Sequence, residues 1–169
     1  MLGKFPRRDL FRGVAGLSAL SYSRIQGAND RILLGVIGCG DRGLHDTNQF
    51  LKNPNVSVVA LCDVYAAHVE RLRKRAPEAK GFSDHRKLLE MKEINAVLIA
   101  TPDHWHAACT IDALNAGKDV YVEKPLTLTI EEGPEMVKAA RVNGRVCQVG
   151  LQQRSGRHYI QAKQEYIDS

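Results

Sequence analysis

The stretch Ile32-Leu33-Leu34-Gly35-Val36-Ile37 runs directly into Gly38-Cys39-Gly40-Asp41-Arg42-Gly43. Its first half is a continuous apolar run, which is typical of a β-strand buried on both faces. Its second half has the spacing G-x-G-x-x-G. In this pattern the first glycine permits a tight turn, the second lets the backbone approach a pyrophosphate, and the third lets a helix pack closely. A helical pattern follows, so the N–H groups at the helix start can bind the anion. We predict a strand–turn–helix unit that binds a dinucleotide.

Strand-like and helix-like patterns alternate along the rest of the chain. Five further strands are predicted at residues 56–62, 80–82, 96–100, 120–122 and 146–149. Five connecting helices are predicted at residues 44–51, 66–75, 85–91, 104–116 and 130–143. This alternation predicts an α/β fold, a Rossmann-like doubly wound parallel sheet flanked by helices, with right-handed crossovers. Six strands are enough for both halves of a dinucleotide-binding domain.

Asp63 stands at the end of the second predicted strand, twenty residues after Gly43. A carboxylate at this place accepts hydrogen bonds from the ribose hydroxyls of NAD. It also repels the 2′-phosphate of NADP, and no arginine follows it directly. The sequence therefore favours NAD over NADP, with an ordinary surface aspartate as the alternative interpretation.

The fourth predicted strand ends in Thr101-Pro102-Asp103-His104-Trp105-His106. Ligands of doubly wound sheets bind at the carboxyl ends of the strands, near the point where the strand order reverses. Asp103 is also a good N-cap for the next helix, and both roles can hold together. His104 and His106 diverge by about 200° on a helix, and no third ligand has suitable spacing, so we predict no metal site.

The fifth predicted strand leads into Glu123-Lys124-Pro125. A lysine at the rim of the crevice can act as a general acid or base if its pKa is lowered. Pro125 fixes the turn and is a candidate for a cis peptide bond. An exposed charged turn without catalytic work is the alternative interpretation.

Composition and charge exclude several classes of protein. The chain has 169 residues, 44% of them hydrophobic and 25% charged, which suits one globular domain and excludes a collagen-like or disordered chain. Residues 1–30 carry +3 of the +5 net charge, and no basic stripe with aromatic residues follows, so nucleic-acid binding is disfavoured. No apolar run is long enough for a stable membrane span. The four cysteines lack metal-type spacing, and we predict small buried thiols rather than disulfides.

The first thirty residues resemble an export signal of the twin-arginine type. Arg7 and Arg8 form the pair, Leu10 and Phe11 follow it, and a short, mildly apolar run extends over residues 13–20. This pattern predicts recognition by the twin-arginine export machinery and a bacterial periplasmic location. A basic tail without function, on a cytoplasmic protein, is the alternative.

The motifs in this order resemble the glucose–fructose oxidoreductase and inositol dehydrogenase family (Gfo/Idh/MocA). The most specific likeness lies at residues 116–126, Ala-Gly-Lys-Asp-Val-Tyr-Val-Glu-Lys-Pro-Leu, and the whole likeness runs from about residue 31 to residue 157. It implies an NAD-binding domain over residues 31–155. The implied cofactor contacts are Gly38, Gly40, Asp41, Arg42, Gly43, Asp63, Thr101, Pro102, His106 and Glu123.

The resemblance also implies a reaction. In it, Lys124 bonds the substrate hydroxyl that loses its proton as hydride leaves the carbon of a sugar or cyclitol, and Gln152 lies in the stretch that leads toward the substrate. Family members continue into a second α/β domain that forms the substrate pocket and the oligomer interface. We expect residues 156–169 to begin the helix that enters that domain, which is absent here, so that this chain alone is inactive. An exported NAD-dependent glycosidase of the same family, or an inactive NAD-binding module, are the alternatives.

Overall fold

A computed structural model describes residues 31–168 of the chain, which form six strands and six α-helices. The strands are β1 (Ile32–Ile37), β2 (Val56–Cys62), β3 (Lys80–Phe82), β4 (Ala96–Ile99), β5 (Asp119–Glu123) and β6 (Cys147–Gly150). The helices are α1 (Asp41–Phe50), α2 (Ala66–Arg73), α3 (His85–Leu89), α4 (His106–Asn115), α5 (Glu132–Asn143) and α6 (Arg157–Tyr166). Each strand and helix lies where the sequence predicts it, with ends that differ by three residues or fewer.

All strand pairs are parallel, and the sheet order is β3-β2-β1-β4-β5-β6. The strand order reverses between β1 and β4, since the chain first winds outward through β2 and β3 and then returns to β4. The predicted doubly wound α/β fold is therefore confirmed. The carboxyl ends of β1 and β4 diverge into different connections at this point, which is where such sheets bind ligands.

Apolar side chains cover both faces of the sheet. One core cluster packs α1 and α2 against the sheet through residues such as Val36, Leu61 and Leu72. The other packs α3, α4 and α5 through Leu88, Leu114 and Met136. Strands buried on both faces explain the continuous apolar runs of the sequence.

A buried lysine forms hydrogen bonds at the amino ends of the central strands. The Lys118 ammonium, 5% exposed, donates hydrogen bonds to the carbonyl oxygens of Met91 at 2.8 Å and Ile94 at 2.9 Å. Burial lowers the pKa of Lys118. These bonds fix the loop that leads into β4, at the end of the sheet opposite the glycine turn.

The remaining sequence predictions have mixed outcomes. The cysteines are free among residues 31–168, with Cys39, Cys62 and Cys109 buried and Cys147 half-buried, as predicted. No helix in this range is long and apolar enough to cross a bilayer. The export-type segment with Arg7 and Arg8 lies outside the described residues.

Candidate functional site

The glycine turn follows β1 at the point where the strand order reverses. Gly38 has a φ of 90°, which favours glycine, and a Cβ there would lie 2.6 Å from the carbonyl of Ala100. A Cβ on Gly43 would lie 1.9 Å from the Gly38 oxygen. The protein itself therefore needs glycine at both positions, because α1 crosses the turn in direct backbone contact.

Gly40 has a different environment. It is the N-cap of α1 with a φ of −64°, and a Cβ there would meet nothing nearer than the His68 ring at 3.9 Å. No side chain caps α1 at this end. The bare backbone and the helix N-terminus form a cradle that fits an approaching pyrophosphate and that a side chain at Gly40 would fill.

Asp63 connects the end of β2 to the glycine turn. Its carboxylate accepts hydrogen bonds from the backbone N–H of Cys39 at 2.8 Å and of Tyr65 at 2.9 Å. The His68 ring lies 3.2 Å from the same carboxylate, which is 11% exposed. Asp63 lies directly after β2, as predicted, and its bond to Cys39 also orders the glycine turn, a role that the sequence did not indicate.

A cavity of about 530 Å³ opens beside this carboxylate. Its walls come from the ends of β1, β2, β3 and β4, and they include Gly38, Asp63, Asp84, Arg86, Thr101, Pro102 and Trp105. The buried hydroxyl oxygen of Thr101 has no hydrogen-bond partner in the described structure. A polar atom without a partner beside an open cavity is available to a ligand. The residues present thus fit one end of a dinucleotide.

His106 lies between two loops of the crevice, the one that contains Thr101 and the one that contains Pro125. Its ring is 1% exposed, with Nδ1 at 2.5 Å from the Pro125 carbonyl oxygen and Nε2 at 2.9 Å from that of Thr101. The buried ring supports the cofactor crevice rather than lining its surface.

A group of polar side chains, which we call the Arg42 cluster, consists of Arg42, Asp46, Glu123 and Gln152. The guanidinium lies 2.8 Å from the Asp46 carboxylate and 2.9 Å from that of Glu123. The Gln152 amide also donates to Glu123. Glu123 is 3% exposed, whereas Lys124, the next residue, has an exposed side chain and a cis bond to Pro125. The structure therefore presents the lysine at the carboxyl edge of the sheet and holds the glutamate behind it.

Within this cluster, the surroundings of Asp46 raise its pKa. Burial, with the nearby Glu123 carboxylate as the next cause, raises the pKa of Asp46 to about 6. Burial, together with the Glu123 and Asp46 carboxylates, also raises the pKa of Tyr121. Among residues 31–168, no group of three His, Cys, Asp or Glu side chains is arranged to hold a metal ion.

Several predicted site residues have partners that the sequence did not indicate. Asp41 pairs with Arg71 at 2.7 Å, and Arg42 bonds Asp46 and Glu123 through its side chain. The prediction that Asp103 caps the next helix is wrong. A 3-10 turn at Asp103–Trp105 comes first, and α4 begins only at His106 with no side-chain cap.

Two site residues escaped the sequence analysis. Asp46 carries a signal that could have found it, because it stands four positions after Arg42, which is the spacing of an ion pair on a helix. His68 carries none, since its contact with Asp63 depends on how α2 packs beside the glycine turn.

A parallel sheet of this order, with a bare glycine turn and an open cavity at its switch point, defines a dinucleotide-binding domain. Residues 32–151 match the model of the oxidoreductase family with an NAD-binding Rossmann fold (GFO_IDH_MocA), and the chain belongs to this family. The resemblance stated from the motifs is confirmed, and these residues form its NAD-binding domain.

Relatives within the family differ in activity. The chain is 35% identical to the inositol 2-dehydrogenase of Salmonella typhimurium over 138 residues, which cover 80% of this chain and 41% of the relative. It is 32% identical to glycosyl hydrolase family 109 protein 1 of Shewanella sp. (strain ANA-3), over 84% of this chain and 31% of that one. The chain therefore spans less than half the length of these relatives.

A solved structure gives the same fold with a cofactor. The WlbA dehydrogenase of Bordetella pertussis, in complex with NADH and UDP-GlcNAcA, superposes with a TM-score of 0.74 at 26% identity. The match covers 79% of this chain and 39% of that one.

Proposed function

We propose that this chain binds NAD as the cofactor domain of an oxidoreductase that moves hydride between NAD and a secondary alcohol of a sugar or cyclitol. One observation carries the proposal. The bare backbone at Gly40 and the exposed Lys124 lie at the same carboxyl edge of the sheet, on the two sides of the point where the strand order reverses. The likeness to inositol 2-dehydrogenase supports the substrate class.

The residues of the chain have separate tasks in this reaction. NAD supplies the hydride acceptor when it is bound. The N-terminus of α1 binds the pyrophosphate, Asp63 accepts from the adenosine ribose, and Thr101 offers its free hydroxyl to the bound cofactor. Lys124 takes the proton of the substrate hydroxyl as hydride leaves the carbon, so that a ketone and a protonated lysine result.

The second part of the proposal is that the chain binds NAD in preference to NADP. The cavity holds two carboxylates, Asp63 and Asp84, that repel a 2′-phosphate. Its one arginine, Arg86, lies 3.7 Å from Asp84 and 3.8 Å from Asp112, so both acidic side chains oppose its charge. We expect the ribose end of the cavity to favour a free 2′-hydroxyl.

Calorimetric titration of the full chain with NAD and, separately, with NADP tests these two parts. We expect NAD to bind with micromolar to low-millimolar affinity and NADP to bind more weakly. Lys124→Ala should keep NAD affinity within about threefold, because the lysine acts on substrate and not on cofactor binding. A folded wild-type chain that binds neither dinucleotide would overturn the proposal.

A glycosidase is the second candidate, favoured by the 32% identity to a family 109 glycosyl hydrolase. Such an enzyme would use the same oxidation transiently, to acidify the neighbouring C–H and permit elimination of a glycosidic group. Its cofactor is reduced and reoxidised in each turnover. Once this domain is joined to a second α/β domain of its family, net NADH formation from a free polyol would support the dehydrogenase, and sugar release without net NADH would support the glycosidase.

We also propose export to the periplasm of a bacterium by the twin-arginine route. The adjacent arginines and the short apolar run of residues 1–30 support this proposal. Fusion of these residues to a reporter that is active only after export tests it. Replacing Arg7 and Arg8 by lysine should abolish reporter activity, and unchanged activity would favour the cytoplasmic alternative.

A further inference from the structure

The Arg42 cluster contains more buried acid than base. Asp46 is 5% exposed and Glu123 is 3% exposed, while the single guanidinium that contacts both of them is 40% exposed. Two ionised carboxylates facing one cation would leave a net negative charge on two side chains that are almost fully buried, beside a cavity of about 680 Å³ that Arg42 and Asp46 line. A buried charge of this kind is costly unless it is paired or neutralised.

The neighbouring groups do not supply a second cation. His45, on α1, has an exposed side chain, and its electrostatic effect on the pKa of Asp46 is smaller than that of Arg42. On β5, Tyr121 contributes a neutral phenol, and after β6 Gln152 contributes a neutral amide that already donates to Glu123. The charge imbalance is therefore best relieved by a proton.

The geometry shows where that proton can lie. Oδ1 of Asp46 faces Arg42, whereas Oδ2 is buried and has no hydrogen-bond partner among the described atoms. The Asp46 and Glu123 carboxylates contact the same Arg42 nitrogen, Nη2, at 2.8 Å and 2.9 Å, so they are close neighbours. A proton on Oδ2 would both satisfy that oxygen and make Asp46 a donor to Glu123.

We propose that Asp46 and Glu123 share one proton and that Asp46 is a positioning residue, which fixes the Glu-Lys-Pro turn to the glycine-turn helix through Arg42. The inference rests on the proposed function, because it gives the cluster its use. Arg42 stands inside the glycine turn, and Glu123 directly precedes Lys124. The cluster thus joins the backbone that binds pyrophosphate to the lysine that handles the substrate proton.

Loss of the shared proton at higher pH would weaken this connection. With both carboxylates ionised, their repulsion pushes Glu123 away from Asp46, and the turn that it anchors loses its fixed place beside α1. We therefore expect NAD affinity of the wild-type chain to fall roughly tenfold between about pH 5 and about pH 8, within the range for coupled residues in contact. These values stand on either side of the Asp46 pKa of about 6.

Replacement of Asp46 by asparagine or alanine tests the proposal in the full chain. Asparagine keeps an oxygen for Arg42 and supplies a permanent N–H donor for Glu123, so D46N should bind NAD equally well at both pH values. D46A removes both interactions and should bind NAD weakly at both. Glu90→Gln changes an exposed acid that pairs with Lys87 and lies outside both the Arg42 cluster and the cavity lining, so it is the matched control and should follow the wild type.

The two proposals fail in different ways. NAD binding that depends on pH equally in wild type and D46N, or D46N as weak as D46A, would overturn the shared proton while leaving NAD binding intact. If no variant binds NAD, the proposed function fails, and urea unfolding then decides the inference. A wild-type free energy of unfolding that falls between pH 5 and pH 8, with a flat profile for D46N, would support the shared proton, and parallel profiles would overturn it.

Discussion

The carboxylate of Asp63 accepts a hydrogen bond from the backbone N–H of Cys39 at 2.8 Å, across 24 positions of sequence. This contact fixes the glycine turn to the end of the neighbouring strand. The acidic residue that is expected to hold the ribose thus also shapes the backbone that is expected to hold the pyrophosphate. Cofactor affinity and turn geometry depend on the same side chain.

Substitution of Asp63 should therefore affect two properties. Asp63→Ala should lower the free energy of unfolding by roughly 1.5–3 kcal/mol, the value of a hydrogen bond to a charged group. It should also weaken NAD binding more than NADP binding, because it removes the ribose contact and the repulsion together. Asp63→Asn keeps an acceptor for Cys39 and should recover most of the stability. Equal losses for NAD and NADP in calorimetry would remove Asp63 from cofactor selection.

The glycines of the turn should respond differently to alanine. Gly43→Ala places a methyl group 1.9 Å from the Gly38 oxygen, so it should unfold the domain or lower its stability by several kcal/mol. Gly40→Ala meets only a ring at 3.9 Å and should cost less than about 1 kcal/mol. Its methyl group fills the cradle, however, so NAD affinity should fall by about tenfold or more. Chemical denaturation and calorimetry measure the two effects, and wild-type NAD affinity in Gly40→Ala would contradict the assignment of the pyrophosphate site.

Trp105 should report cofactor binding by fluorescence. It is the single tryptophan of the chain, it is 45% exposed, and it lines the cavity. A dinucleotide in the cavity would cover the indole, so NAD should change the emission intensity with the same dissociation constant that calorimetry gives. Trp105→Phe should abolish the signal and still bind NAD. Calorimetric binding with unchanged emission would place the ligand elsewhere.

His106 should contribute to stability through its buried ring, which lies between the carbonyls of two loops. His106→Leu removes the ring nitrogens from the Thr101 and Pro125 carbonyls and should cost roughly 1–3 kcal/mol. His106→Gln keeps an N–H donor and should fall between Leu and wild type. Urea unfolding measures the series. Equal stability of all three proteins would show that the buried ring does not hold the two loops together.

The buried thiols should make the domain sensitive to alkali. Burial raises the pKa values of Cys39, Cys62 and Cys109 to about 12, from the usual 9.0. Between these values the folded state binds more protons than the unfolded state, so the free energy of unfolding should fall as the pH rises above about 9. Cys109→Ala should make this fall shallower. A free energy of unfolding that is constant up to pH 11 would contradict the burial of these thiols.

The sequence predicts the sheet well because the apolar runs and the glycine spacing depend on local periodicity and on packing that every such sheet shares. It predicts side-chain partners poorly. Arg42 and Glu123 are 81 positions apart, and their contact depends on the register of β5 beside β4 and on the rotamer of a long side chain. The start of α4 was misjudged for a local reason, since the Trp105 N–H bonds the Pro102 carbonyl and closes a 3-10 turn before the helix begins.

The ammonium of Lys118 closes the end of the sheet that is farthest from the glycine turn, with its hydrogen bonds directed to backbone carbonyls. Those bonds stabilise the sheet independently of the ligand that binds at the carboxyl edge. Selection can then alter the loops at the carboxyl edge while the amino edge keeps the strands in place. Such a division of tasks between two ends of one sheet suits a domain whose relatives include both a dehydrogenase and a glycosyl hydrolase.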